Sequence, residues 1–221
     1  MAVAFGRMMG KPRLLVGDDH AIVLEGICRL LEDKFDVVGT ALNGRELVEL
    51  AFETRPDLVV LDIGMPLLNG IEAMRQLKKE LPHTQLVVLT QQTGREDVRA
   101  ALEAGTKGYV LKQAAATELC TALDEVRQGN SYISAQIAKN MGPLLDSTAE
   151  PGRSFQVKLT PRQREVLQLV AEGKTIKDIA SLLGISPKTV EFHKATIMDQ
   201  LGLRTTAELT RYALETGIVT P

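Results

Sequence analysis

Two hydrophobic rhythms alternate along the chain. Unbroken apolar runs recur at Leu14-Leu15-Val16, Val37-Val38, Leu58-Val59-Val60-Leu61, Leu86-Val87-Val88-Leu89 and Tyr109-Val110-Leu111. Between them apolar residues return every third or fourth position, as at Ile22, Val23, Ile27, Leu30 and Leu31. An unbroken run suits a strand buried on both faces, and the longer period suits an amphipathic helix. The pattern predicts strands at 13–17, 35–41, 58–61, 85–89 and 108–111. It predicts helices at 21–32, 43–53, 71–80, 94–104 and 115–128. Asn43 and Asn69 are placed to cap two of these helices, because their side chains accept from free first-turn N–H groups. Pro56, Pro82, Gly105 and Gly129 supply stops. Such alternation forces parallel strands with right-handed crossovers and helices on both faces. The expected fold of residues 13–130 is α/β, around a five-stranded parallel sheet.

From Ile133 the rhythm degrades. Residues 136–141 could hold a short helix, and Glu150-Pro151-Gly152-Arg153-Ser154 has linker composition. The expected organisation is a disordered start at 1–12, a first domain at 13–130, a linker at 131–158 and a second domain at 159–221. The last segment is helical throughout. Thr160-Pro161 and Ser186-Pro187 are caps followed by proline at the first helical position. Thr175 caps a helix over 176–183, and Thr205 or Thr206 caps the last one. A short helix, a turn containing Gly184 and a longer helix make helix-turn-helix spacing.

Composition narrows the function classes. Net charge is −2, but residues 154–221 carry 9 Lys+Arg against 7 Asp+Glu. That excess is too small to establish a nucleic-acid partner by itself. Aromatics are 4% and Trp is absent, which disfavours a stacking platform for single strands. Cys28 and Cys120 form no metal-binding cluster and read as buried free thiols in a reducing cytoplasm. No run is long and apolar enough to span a membrane, so no membrane partner is expected.

The candidate chemistry lies at the strand ends. Asp18 and Asp19 follow the first strand, Asp62 the third, Thr90 the fourth and Lys112 the fifth. Parallel strand ends share one edge, where open α/β sheets bind ligands. Converging carboxylates need a cation, and oxygen-only donors suit Mg²⁺. A lysine and a hydroxyl beside them suit an incoming phosphoryl group, with a carboxylate as nucleophile. Each residue alone has a plainer reading: Asp18 or Asp19 as a helix cap, Thr90 in a turn, Lys112 solvated, His20 in an edge loop. The conjunction favours the site.

Residues 13–130 resemble the flavodoxin-like receiver domain of two-component response regulators. The match rests on Val16-Gly17-Asp18-Asp19-His20, Leu61-Asp62-Ile63-Gly64-Met65-Pro66 with Asn69-Gly70, Leu89-Thr90, and Gly108-Tyr109-Val110-Leu111-Lys112. The resemblance implies that Asp62 accepts a phosphoryl group from a histidine kinase. It implies that Asp19, Asp62 and the Gly64 carbonyl hold Mg²⁺ with support from Asp18. It makes Thr90 and Tyr109 the switch pair, Tyr109 turning inward as Thr90 moves, and Lys112 the phosphoryl contact.

On the longer second helix Val190, Ile197 and Leu201 share a packing face. Lys188, Phe192, Ala195 and Asp199 lie opposite, edged by Thr189 and Glu191. Phe192 and Ala195 could meet thymine methyls, Glu191 cytosine N4, and Lys188 guanine or phosphate. Lys177, Thr189 and Lys194 are placed for phosphate. Leu159-Thr160-Pro161-Arg162-Gln163-Arg164-Glu165-Val166-Leu167 and Ser186-Pro187-Lys188-Thr189-Val190-Glu191-Phe192-His193 resemble the small all-α output domain of NarL/FixJ, or LuxR-type, regulators. One departure is Thr175-Ile176, where that family more often has Asn. The resemblance implies a homodimer on double-stranded DNA through the last helix, with RNA polymerase a candidate further partner. The expected protein is a transcription factor rather than an enzyme. Its receiver would block or free the reading helices through the linker. The competing classes are a Mg²⁺-dependent phosphohydrolase with an aspartyl-phosphate intermediate, and a constitutive DNA-binding protein with a vestigial receiver.

Overall fold

The computed structural model describes residues 10–141 and 159–219. Most of the expected disordered start and of the expected linker lies outside the described residues. Strands β1 (Arg13–Gly17), β2 (Asp36–Ala41), β3 (Leu58–Leu61), β4 (Gln85–Thr90), β5 (Gly108–Leu111) and β6 (Tyr132–Ile133) form one sheet in the order β2-β1-β3-β4-β5-β6. Every neighbouring pair is parallel. The sixth strand corrects the expected five. Tyr132 N–H donates to the Lys107 carbonyl at 2.8 Å and Ser134 N–H to the Tyr109 carbonyl at 2.9 Å. Two half-buried residues leave no apolar run for periodicity to detect.

Helices α1 (Ala21–Leu31) and α5 (Ala115–Arg127) cover one face of the sheet, while α2 (Gly44–Thr54), α3 (Gly70–Glu80) and α4 (Arg95–Glu103) cover the other. The alternation of side chains along each strand explains the division. Leu15, Val59 and Val88 join Leu47, Met74 and Val98 in one core, and Leu14, Val16 and Val60 join Leu24, Ile27 and Leu123 in the other. Ile137 of the short helix α6 (Ala135–Met141) also reaches the first core. Cys28 and Cys120 are free thiols as expected, but half-buried, since each sits at the border of its helix's apolar stripe.

The second unit comprises α7 (Pro161–Ala171), α8 (Ile176–Leu183), α9 (Pro187–Leu201) and α10 (Thr206–Glu215) around Val166, Leu169, Ile179, Val190, Ile197, Leu209 and Ala213. Thr160, Thr175, Ser186 and Thr205 each accept a hydrogen bond from a first-turn N–H. Thr205, not Thr206, therefore caps the last helix. Gly184 ends α8 at φ +62, a left-handed position that glycine occupies without penalty.

Candidate functional site

At the carboxyl edge of the sheet β1 delivers Asp18, β3 delivers Asp62, β4 ends in Thr90 and β5 leads into Lys112. Lys112 Nζ lies 2.6 Å from Asp62 Oδ2 and 2.7 Å from Asp18 Oδ2. Asp18, Asp62 and Thr90 are all buried. Burial alone would lower the Lys112 pKa. Its hydrogen bond to Asp62 and its charge contacts with Asp18 and Asp62 outweigh that and hold it above the ordinary lysine value. Asp18 Oδ2 meets the ammonium off the axis of a good hydrogen bond, so a buried acceptor there still lacks a well-directed donor. Asp19 stands at the rim. His20 Nδ1 lies 2.8 Å from Asp19 Oδ1 and 3.2 Å from Asp18 Oδ1, so the imidazole gathers the acidic pair.

The loop from β3 to α3 shapes the mouth. Gly64 N–H points at Asp62 Oδ1 at 3.3 Å, and Gly70 N–H donates to the Ile63 carbonyl at 2.9 Å. Asn69 Oδ1 accepts from Glu72 N–H and caps α3, as the sequence predicts. A side chain at Gly70 would strike the Asp62 carbonyl at 2.1 Å, and one at Gly44 the Leu68 carbonyl at 1.8 Å. Two glycines thus let helices α2 and α3 grip the loop. Leu67, between them, has φ +64, costly for a residue with a side chain.

All of the strand-end residues expected at this edge are there. Tyr109 is fully buried, and its hydroxyl donates to the Gln92 carbonyl at 3.0 Å. Burial first, then the charges of Asp97 and Asp62, raises its pKa. Its core neighbours decide this pose, and sequence spacing cannot show it.

On α9, Lys188, Glu191, Phe192 and Ala195 are exposed, Phe192 at 66%. Lys177 on α8 is exposed too. Thr189 is half-buried and shares a 2.8 Å contact with the Ser186 hydroxyl. Lys194 is half-buried and donates to the Thr206 hydroxyl at 2.8 Å, tying α9 to the start of α10. The reading face of α9 is therefore left open, and α7 meets the receiver instead.

That meeting was not foreseen from the sequence. Gln168 is 1% exposed, accepts from Asn69 N–H at 2.8 Å and donates to the Met65 carbonyl at 3.1 Å. Glu172 accepts from Leu67 N–H at 3.0 Å. Arg164 pairs with buried Glu72, and Arg45 lies 3.4 Å from Glu165. No local signal in the sequence separates a solvated helix stripe from a docked one. Two surface cavities, of about 520 and 410 Å³, open at the opposite edge of the sheet around Arg55, Glu80 and Leu81.

With an all-parallel sheet bearing these groups at its carboxyl edge and a helix-turn-helix unit after it, the chain matches a known family in each half. Residues 14–124 match the response regulator receiver domain, and 157–213 match the bacterial regulatory proteins of the luxR family. The chain belongs to the two-component response regulators that carry a LuxR-type DNA-binding domain, and its relatives are transcriptional regulators. It is 36% identical to the transcriptional regulatory protein MctR of Rhizobium johnstonii, over 95% of this chain and 96% of that one. It is 34% identical to the oxygen regulatory protein NreC of Staphylococcus epidermidis, over 92% and 97%. Among solved structures it is similar to the response regulator RcsB in complex with DNA, with TM-score 0.57 and 29% identity, covering 96% of this chain and all of that one. Among the described residues no helix is long and apolar enough to cross a membrane.

Proposed function

We propose that this regulator is switched by phosphorylation of Asp62 in the cytoplasm, with a receiver at 13–130 and an output domain at 159–221. The observation that carries the reading is the Lys112 ammonium set 2.6 Å from Asp62 and 2.7 Å from Asp18 at the sheet's carboxyl edge. An Asp62 oxygen attacks the phosphorus of a kinase phosphohistidine. The new P–O bond forms as the P–N bond breaks, and the electron pair leaves on the imidazole nitrogen. Lys112 then transfers its charge pairing to the phosphoryl oxygens, and the Thr90 hydroxyl donates to another.

The residues fit Mg²⁺. Asp18, Asp19 and Asp62 supply hard oxygen donors, the Gly64 carbonyl a further one, and buried Asp18 Oδ2 has an acceptor direction to fill. When bound, the ion neutralises charge on the transferring phosphoryl group. Lys112 balances part of the site's charge in its own right.

The output side reads double-stranded DNA through Lys188, Glu191, Phe192 and Ala195, with Lys177, Thr189 and Lys194 near phosphates. Phosphorylated chains pair through α10 on two half-sites. The test is gel filtration with a small acyl phosphate and Mg²⁺, alongside phosphate-affinity electrophoresis. The wild-type chain should shift to a dimer and carry one label. Asp62→Asn should do neither, and a labelled Asp62→Asn chain would refute the assignment.

A further inference from the structure

The loop that leaves Asp62 is held by the output domain as well as by its own. Gln168 of α7 spends both ends of its amide on that loop's main chain, at Met65 and Asn69. Glu172 takes the N–H of Leu67, between those two points. The two side chains are themselves joined, Gln168 Nε2 donating to Glu172 Oε1 at 2.8 Å. The Leu67 side chain packs against the apolar core of the output domain, and its backbone keeps a left-handed angle. Buried Gln168 has no access to solvent, so a shift of the loop must break these bonds or carry α7 along.

Upstream, the same loop ends on the carboxylate. Gly64, one residue before Met65, points its N–H at Asp62 Oδ1 while Lys112 holds Oδ2. Both oxygens of Asp62 are thus engaged in the docked molecule. Holding Met65 holds Gly64, and holding Gly64 keeps Asp62 Oδ1 occupied.

We propose that Gln168 and Glu172 are positioning residues for phosphoryl acceptance, restraining Asp62 through the loop for as long as α7 stays docked. The proposal rests on Asp62 being the acceptor. Linkage makes the coupling reciprocal: if docking opposes phosphorylation, phosphorylation opposes docking by the same free energy. The route runs through main-chain bonds of residues 64–69. It does not need Tyr109 to move.

The test uses the full chain and two variants. Gln168→Leu keeps the volume and removes all the amide's bonds. Glu172→Gln keeps the shape and weakens the bond to Leu67. Labelling by a small acyl phosphate is timed on phosphate-affinity gels, Mg²⁺ affinity is read by calorimetry without phosphodonor, and the radius of gyration by small-angle scattering. Both variants should label about fivefold faster, at the low end of ordinary coupling. They should bind Mg²⁺ more tightly and be expanded before phosphorylation, as the wild-type chain becomes afterwards. General loosening of the fold would slow labelling, so acceleration is not a side effect of damage. Should Gln168→Leu fail to fold, Glu172→Gln decides. Rates at or below wild type in a folded variant overturn the proposal. Asp62→Asn is run beside them: if it labels, the acceptor assignment falls, whereas a silent Asp62→Asn with unchanged variants sinks the restraint alone.

Discussion

Lys112 is the residue on which the site's electrostatics turn. It stands between two buried carboxylates, and removing one partner of a buried ion pair costs more than the pair contributes on balance. Lys112→Ala should lower stability by about 3 kcal/mol in urea unfolding without divalent ions. Added Mg²⁺ should restore part of it. The direction of the pKa shift fixes a pH signature. A lysine held above its ordinary value contributes fully below that value, near 10.4. The contribution is lost as pH climbs through the raised folded value. The variant should lack this alkaline loss. At this scale the sequence was informative, since a parallel sheet brings every strand end to one edge. Asp18, Asp62, Thr90 and Lys112 could be placed together before any coordinates. The pose of Tyr109 could not, because a rotamer answers to its packing neighbours.

Among the elements, the grip of α2 and α3 on the β3–α3 loop makes Gly70 the most sensitive point. Gly70→Ala would drive a methyl group into the Asp62 carbonyl and shift the acceptor. Misplacement of a reacting group by an ångström costs about 100-fold in rate. Labelling of Asp62 should fall by roughly that factor, and an unaffected rate would contradict the close approach. Helix α9 carries an independent prediction. Lys188→Ala should weaken binding to duplex DNA about tenfold and flatten its salt dependence, while Asp62 labels at the wild-type rate. Equal DNA affinity would mean that the reading face has been misassigned. Helix existence and caps were legible because Asn43, Asn69, Thr160, Thr175 and Ser186 announce themselves chemically. Strand β6 was not, since two residues carry no period.

For the whole molecule, the join between the two domains combines the Leu67 side chain, packed on the output core, with a small set of polar contacts. Arg164 reaches buried Glu72, which keeps Arg75 as a second partner. Arg164→Ala should therefore loosen docking without leaving Glu72 unpaired. Calorimetry should show one unfolding transition split into two, and a single unchanged transition would show that Arg164 does not couple the domains. This join was invisible in the sequence, where Arg164, Glu165, Gln168 and Glu172 look like any wetted helix stripe. Docking through α7 also leaves Phe192 and its neighbours facing water. On the reading proposed above, a docked chain would touch the chromosome loosely and slide along it. Its search for an address would then not wait for the signal, and a message from the kinase would reach molecules already scattered along the genome, with only the finding of a mate left to do.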